Sequence, residues 1–137
     1  MADLPLTGHC LCGGVRFEID EPFVSASYCH CTRCQRRTGC AASASGRVAP
    51  GALRILVGAQ LVRAYAPEDG FLKCFCSACG GALWSKHRTE DTVRVRLGAV
   101  DGDPGIRPQW HQFTAYAAPW EAIPDDGLPR YPEQNPS

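Results

Sequence analysis

No run of about eighteen apolar residues occurs in this chain, so a membrane-spanning helix is not expected. Net charge is missing too. Fourteen Lys and Arg balance fourteen Asp and Glu over 137 residues, which leaves no general attraction to phosphate backbones or anionic lipid. Neither nucleic acid nor a membrane is therefore expected as a partner. Met1-Ala2-Asp3-Leu4-Pro5 lacks the basic and apolar regions of an export signal, and a cytoplasmic location is the expectation. Helical periodicity is scarce. Glycine, proline and cysteine are plentiful instead, at 14, 11 and 9 residues. Short alternating segments between Gly/Pro turns predict a mainly β fold, and the length suits a single domain spanning 1–137 with its core at about 6–131.

Nine cysteines make an odd set, and most stand in C-x-C or C-x-x-C spacings. Such spacings suit metal ligation in a reducing compartment, whereas a disulfide framework needs an oxidising one. Cys10-Leu11-Cys12-Gly13-Gly14 and Cys76-Ser77-Ala78-Cys79-Gly80-Gly81 form two pairs, each followed by glycines that can turn the backbone tightly around an ion. Four thiolates from the two pairs would close a structural zinc site and tie the ends of the fold together; the plainer alternative is that one pair is simply buried thiols.

Cys29-His30-Cys31-Thr32-Arg33-Cys34 is the third cluster. In an extended segment residues i and i+2 share a side, so Cys29 and Cys31 can face one ion while His30 points away, and a turn through Thr32-Arg33 brings Cys34 back. Zinc held by three protein ligands keeps a position for water or substrate. Closure of the shell by His30, His111 or Cys40 would instead make a second inert site. If the site is open, three thiolates around a dication carry one net negative charge, which favours exchange of an incoming thiol over hydroxide chemistry.

Around these clusters the pattern predicts strands at 15–20, 23–28, 53–57, 61–66, 71–76, 82–85 and 92–97. A short helical turn is expected at 33–37, stopped by Gly39. The small side chains of 40–48 suit either a close-packed strand or the floor of a pocket.

Taken together, Gly8-His9-Cys10-Leu11-Cys12-Gly13-Gly14-Val15-Arg16-Phe17, Cys29-His30-Cys31-Thr32-Arg33-Cys34, Phe75-Cys76-Ser77-Ala78-Cys79-Gly80 and the stretch from Pro119-Trp120 to Asp126-Gly127-Leu128-Pro129 resemble the glutathione-dependent formaldehyde-activating enzyme family, whose domain is shared with centromere protein V. The resemblance implies a β-tent zinc-binding fold of short antiparallel strands and two zinc ions per chain. It implies a structural zinc on Cys10, Cys12, Cys76 and Cys79 and a catalytic zinc on Cys29, Cys31 and Cys34. The implied activity is that of a carbon-sulfur lyase, forming or cleaving S-hydroxymethylglutathione from glutathione, or another small thiol, and formaldehyde or a related small aldehyde. A second reading is a non-catalytic zinc module that binds glutathione or a protein partner. The chain departs from the family in having Ala117 where a basic residue often precedes the Ala-Pro-Trp segment, and in the additional Cys74.

Three groups outside the clusters bear on that activity. Arg33, Arg36 and Arg37 suit glutathione carboxylates by their planar forks, or are solvated surface charges. Trp110, Phe113, Tyr116 and Trp120 either wall a pocket or fill the core. His111, alone among the histidines, lies in an aromatic, motif-bearing context that suits a supporting or acid/base role, and His9 and His87 are assigned none.

Overall fold

The computed structural model describes residues 3–136. Ten short strands and one helix follow in chain order: β1 (Leu6–His9), β2 (Arg16–Ile19), β3 (Ser25–Cys29), α1 (Thr32–Thr38), β4 (Ser43–Arg47), β5 (Leu53–Val57), β6 (Val62–Tyr65), β7 (Leu72–Cys76), β8 (Ala82–Lys86), β9 (Val93–Arg96) and β10 (His111–Gln112). The architecture is mainly β, as the turn-punctuated pattern predicts. No helix among the described residues is long and apolar enough to cross a membrane.

The strands form two sheets. β1, β2 and β5 make a three-stranded antiparallel sheet, and the other seven lie in the order β10-β3-β4-β9-β8-β7-β6. All pairs in the larger sheet are antiparallel except the two-residue β10, which runs parallel to β3. Alternation in β2 sends Phe17 and Ile19 inward while Glu18 stays at the side. These two meet Leu83, Trp84 and Val95 from the larger sheet, with Phe17 set edge-on to the Trp84 indole at 5.6 Å between ring centres. At about 25 cal/mol per Å² of apolar surface, each such side chain contributes roughly 1.5–3 kcal/mol by its burial. That cluster holds the small sheet against the large one and so brings the loop after β1 to the end of β7.

Two strands differ from expectation. β1 lies in a stretch that reads as a polar start, because Leu6 and Gly8 face the core while Thr7 does not. Gly8 is required by contact: a Cβ there would come within 2.4 Å of the Ala99 carbonyl oxygen. β10 is too short for any periodicity to reveal, and it exists because β3 offers it a free edge. The segment 40–48, open to two readings, satisfies both, since β4 is a central strand whose Ser43 and Ser45 line a cavity.

Candidate metal centres and their cavity

Seven of the nine cysteines gather into two groups. In each, every sulfur lies within 4.8 Å of the others: Cys10, Cys12, Cys76 and Cys79 in one, Cys29, Cys31 and Cys34 in the other. All nine cysteines are free, so no disulfide framework stands in the structure.

The group of four is built from two matching turns. Gly13 and Gly80 both adopt left-handed backbone, φ 75° and 76°, and their amides close the turns by donating to the carbonyls of Cys10 (3.1 Å) and Cys76 (2.7 Å). In the first turn the amides of Val15 and Gly14 approach the sulfurs of Cys10 (3.3 Å) and Cys12 (3.4 Å). Such donors disperse negative charge on a thiolate. Backbone hydrogen bonds to Cys79, from Cys12 and then Gly81, bring its thiol down to about 6. The sulfur separations, 3.6 Å for Cys10 to Cys12 and 3.9 Å for Cys12 to Cys76, bracket the edge of about 3.8 Å that a tetrahedron with zinc–sulfur bonds of about 2.3 Å requires. Four soft donors at that spacing fit a closed zinc site.

The group of three is delivered by β3 and α1. Cys29 ends β3, and Cys31 is the N-cap of α1, its sulfur accepting from the Cys34 amide at 3.3 Å. Positions i and i+3 of a helix start lie on one side, so the cap geometry that begins the helix also sets Cys31 beside Cys34. Gly39, φ 72°, ends the helix with its amide on the Gln35 carbonyl, and Arg36 and Arg37 in the last turn suit the helix dipole.

Proton sharing within this trio is unequal. Hydrogen bonds from Cys29 and Cys31, then from Ser43, with the charge of Arg96 behind them, bring the Cys34 thiol down to about 2. Hydrogen bonds with Cys31 and then Cys34, together with burial, drive Cys29 upward. Three sulfurs this close, Cys34 buried and the other two half-buried, cannot all ionise alone, whereas a soft cation replacing their protons would let them. The donor set therefore fits zinc.

These three cysteines line a cavity of about 530 Å³ together with Ser43, Lys73, Arg94 and Arg96. His30 turns away from it, as the alternation of an extended segment requires, and is buried. Its Nε2 lies 2.8 Å from Nδ1 of His111, whose Nε2 lies 2.8 Å from the Asp126 carboxylate. An ionised Asp126 only accepts, so His111 donates through Nε2; a neutral His111 ring then accepts at Nδ1 from His30 Nε2–H. Asp126 stands in a motif that the sequence shows, but its partner is not legible there, because only the fold brings the turn at 124–128 onto β10. Neither His30, His111 nor Cys40 joins the three sulfurs among the described residues. Cys40 is exposed beyond the end of α1, near Trp120.

The hydrogen bond from His111, followed by one from the Leu128 amide, holds the Asp126 carboxyl below its ordinary 3.8. A carboxylate depressed in the folded state stabilises above its unfolded value and loses that contribution as pH falls through the folded value. Asp126→Asn should therefore have a lower urea midpoint than the parent at neutral pH, and the two midpoints should converge as pH falls through the folded-state value, below 3.8. Equal midpoints at neutral pH would show that the carboxylate does not anchor the histidine pair.

The arginines and aromatics do not all follow one reading: Arg36 is exposed, and Phe113 and Tyr116 wall the cavity. Arg37 turns inward and donates to the carbonyls of Cys74 (2.5 Å) and Trp84 (3.2 Å) and to Ser85 Oγ (3.1 Å), so it is neither solvated nor free for a ligand. Arg33 pairs with Asp69 at 2.5 Å, and Arg36 lines a neighbouring cavity. Trp120 and Tyr116 are exposed, which removes them from the core. Phe113 and Tyr116 instead line the thiol cavity, Phe113 with left-handed backbone (φ 57°), a conformation costly for a non-glycine residue. Cys74 is buried apart from both sulfur groups.

Comparison with known proteins agrees with this architecture. The family model described as glutathione-dependent formaldehyde-activating enzyme matches residues 5–116. A curated protein of Halomonas elongata named "Putative glutathione-dependent formaldehyde-activating enzyme" is 30% identical over 105 residues, covering 72% of this chain and 67% of its own length. The crystal structure of a Rhodobacter sphaeroides protein superposes with a TM-score of 0.59 over 91% of this chain and 98% of its own, at 22% identity, which shows a shared fold.

Proposed function

The chain belongs to the glutathione-dependent formaldehyde-activating enzyme family, and we propose from that premise that it is a zinc-dependent carbon-sulfur lyase. Its reaction would join glutathione to formaldehyde, or a related small thiol to a small aldehyde, and reverse the same step. In the proposed reaction the thiol sulfur bonds to the carbonyl carbon, the carbon–oxygen π bond opens, and the thiol proton passes to the carbonyl oxygen. The observation that carries the reading is the trio of Cys29, Cys31 and Cys34 on the wall of a cavity, with no fourth protein donor beside them among the described residues.

Roles follow from the two donor sets. Cys10, Cys12, Cys76 and Cys79 would hold a structural zinc that clamps the loop after β1 to the end of β7. Cys29, Cys31 and Cys34 would hold the catalytic one. Bound there, zinc would supply an attachment point for a soft ligand and lower the pKa of a thiol held on it. The chain does the remainder: β3 and the α1 cap set the three sulfurs on one side, and the His30–His111–Asp126 chain fixes the back of that loop. Phe113 and Tyr116 narrow the space in which the small carbonyl meets the sulfur. A single functional unit with its core at about 6–131 is part of the same reading.

The test is NMR exchange between free and adduct formaldehyde at equilibrium with glutathione. Thiol and aldehyde combine without help, so the readout is the exchange rate over that background. Zinc-loaded protein at catalytic concentration should raise the rate in proportion to its amount. An unchanged rate, with two zinc ions bound, would leave a non-catalytic zinc module as the correct description.

A further inference from the structure

Lys73 and Arg94 stand in one row of the large sheet. Lys73 on β7 is paired with Ser85 on β8, and Ser85 with Arg94 on β9, so the three side chains share a face. That face is a wall of the cavity containing Cys29, Cys31 and Cys34. Both cations are about half buried, and among the described residues neither has a carboxylate partner or a hydrogen bond to a side chain. Arg94 lies over the Phe71 ring at 4.6 Å from its centre. Burial lowers the pKa of both, with the charge of Arg47 adding to the effect on Arg94. A buried cation without an anion is costly unless something else supplies one.

The cysteine thiolates favour both charges but offset only part of the positive charge in the cavity. Four cations, Arg33, Lys73, Arg94 and Arg96, line the cavity against one carboxylate, Asp69, which Arg33 already engages. Three thiolates around a zinc dication would add one negative charge. Arg96 is buried between Ser45 and Ser85, and its charge, like those of Lys73 and Arg94, acts on Cys34. Two positive charges are still left over, and among the described residues Lys73 and Arg94 are the lining cations without a side-chain hydrogen-bond partner. Two strand spacings of about 4.8 Å separate them, close to 10 Å, which is also roughly the extended span of a three-residue peptide.

We infer that Lys73 and Arg94 form a docking wall for the carboxylates of an acidic peptide thiol, holding its two ends while its sulfur reaches the three cysteines. The inference rests on the proposed thiol chemistry for its biological sense, but the docking itself needs no reaction. It assigns selectivity for the thiol to β7 and β9 rather than to the arginines of α1. Formaldehyde carries no charge and would not use this wall.

S-methylglutathione separates docking from chemistry, because it keeps both carboxylates and has no free thiol. Titrated calorimetrically into the zinc-loaded full-length protein, it should bind. Lys73→Gln and Arg94→Gln should each weaken it by about tenfold or more, the cost of losing a charge-assisted contact. Arg36→Gln, outside this cavity, should bind as the parent does. The dimethyl ester of the same ligand should bind the unaltered protein at least about tenfold more weakly, a comparison that needs no variant to fold. Ester and diacid binding alike, variants matching the parent, or no binding of S-methylglutathione would each overturn the inference. So would equal acceleration of adduct exchange with neutral 2-mercaptoethanol, and that result would leave the proposed reaction standing. Intact docking with no acceleration would instead refute the reaction and leave the wall.

Discussion

Cys76→Ala is expected to leave the chain unfolded at 25 °C. A structural zinc in a small thiolate site contributes about 10–16 kcal/mol to the folded state at neutral pH. Total stability of a domain this size is only about 5–15 kcal/mol. Cys76 is wholly buried at the end of β7 and lies 3.9 Å from Cys12. Removing it would take one of four ligands and leave three thiolates crowded at the junction of the two sheets. The remaining apolar cluster around Phe17, Leu83 and Trp84 is too small to offset that loss. Circular dichroism and native mass spectrometry would report it as lost strand signal and a chain without its full zinc complement. A variant that melts at the parent temperature with zinc reduced to one ion would refute the structural assignment. Prolonged treatment with a strong chelator should unfold the parent by the same route.

Cys31→Ala should do the opposite, abolishing activity while the chain stays folded. Its sulfur is both a donor of the trio and the N-cap of α1. Loss of a helix cap costs about 1 kcal/mol, which a domain of ordinary stability survives. Loss of a ligand costs more than the 10–100-fold seen when only a supporting residue is altered, so adduct exchange should fall by more than about 100-fold toward the uncatalysed rate. Zinc content should drop from two ions to one. Cys31→Ser separates the two roles, because a hydroxyl can cap the helix but is a poor zinc donor. It should be more stable than Cys31→Ala by about the worth of the cap, about 1 kcal/mol, and match that variant in activity. Activity retained in Cys31→Ser would move the reaction away from the trio.

Opposite outcomes at two cysteines follow from where each sits. Cys76 joins elements far apart in the chain, so its loss releases the fold. Cys29, Cys31 and Cys34 fall within one strand end and one helix cap, so their loss releases only the ion. The first set is visible in sequence as two glycine-flanked pairs, and the second as one dense cluster. Local geometry also predicts that His30 turns away, since neighbours along an extended segment point to opposite sides.

What surrounds the trio was not legible in this way. Arg33, Arg36 and Arg37 stand beside the cluster in sequence, yet Arg33 pairs with Asp69 and Arg37 is consumed by the carbonyls of Cys74 and Trp84. Lys73 and Arg94 carry no local signal at all. Asp126 belongs to a visible motif, yet nothing local shows that it ends the chain that anchors His111 and His30.

By itself the sequence determined the donors, their grouping, the turns that present them and the β character of the chain. All of these depend on neighbours within a few residues, through backbone sterics, alternation and the spacing of soft ligands. Tertiary structure alone decided which cations face the sulfurs, which are spent on carbonyls, and which carboxylate stands behind the histidines. Such pairings join strands distant in the sequence, and register between strands, set by the packing of two sheets on a shared core, places them on one face or the other.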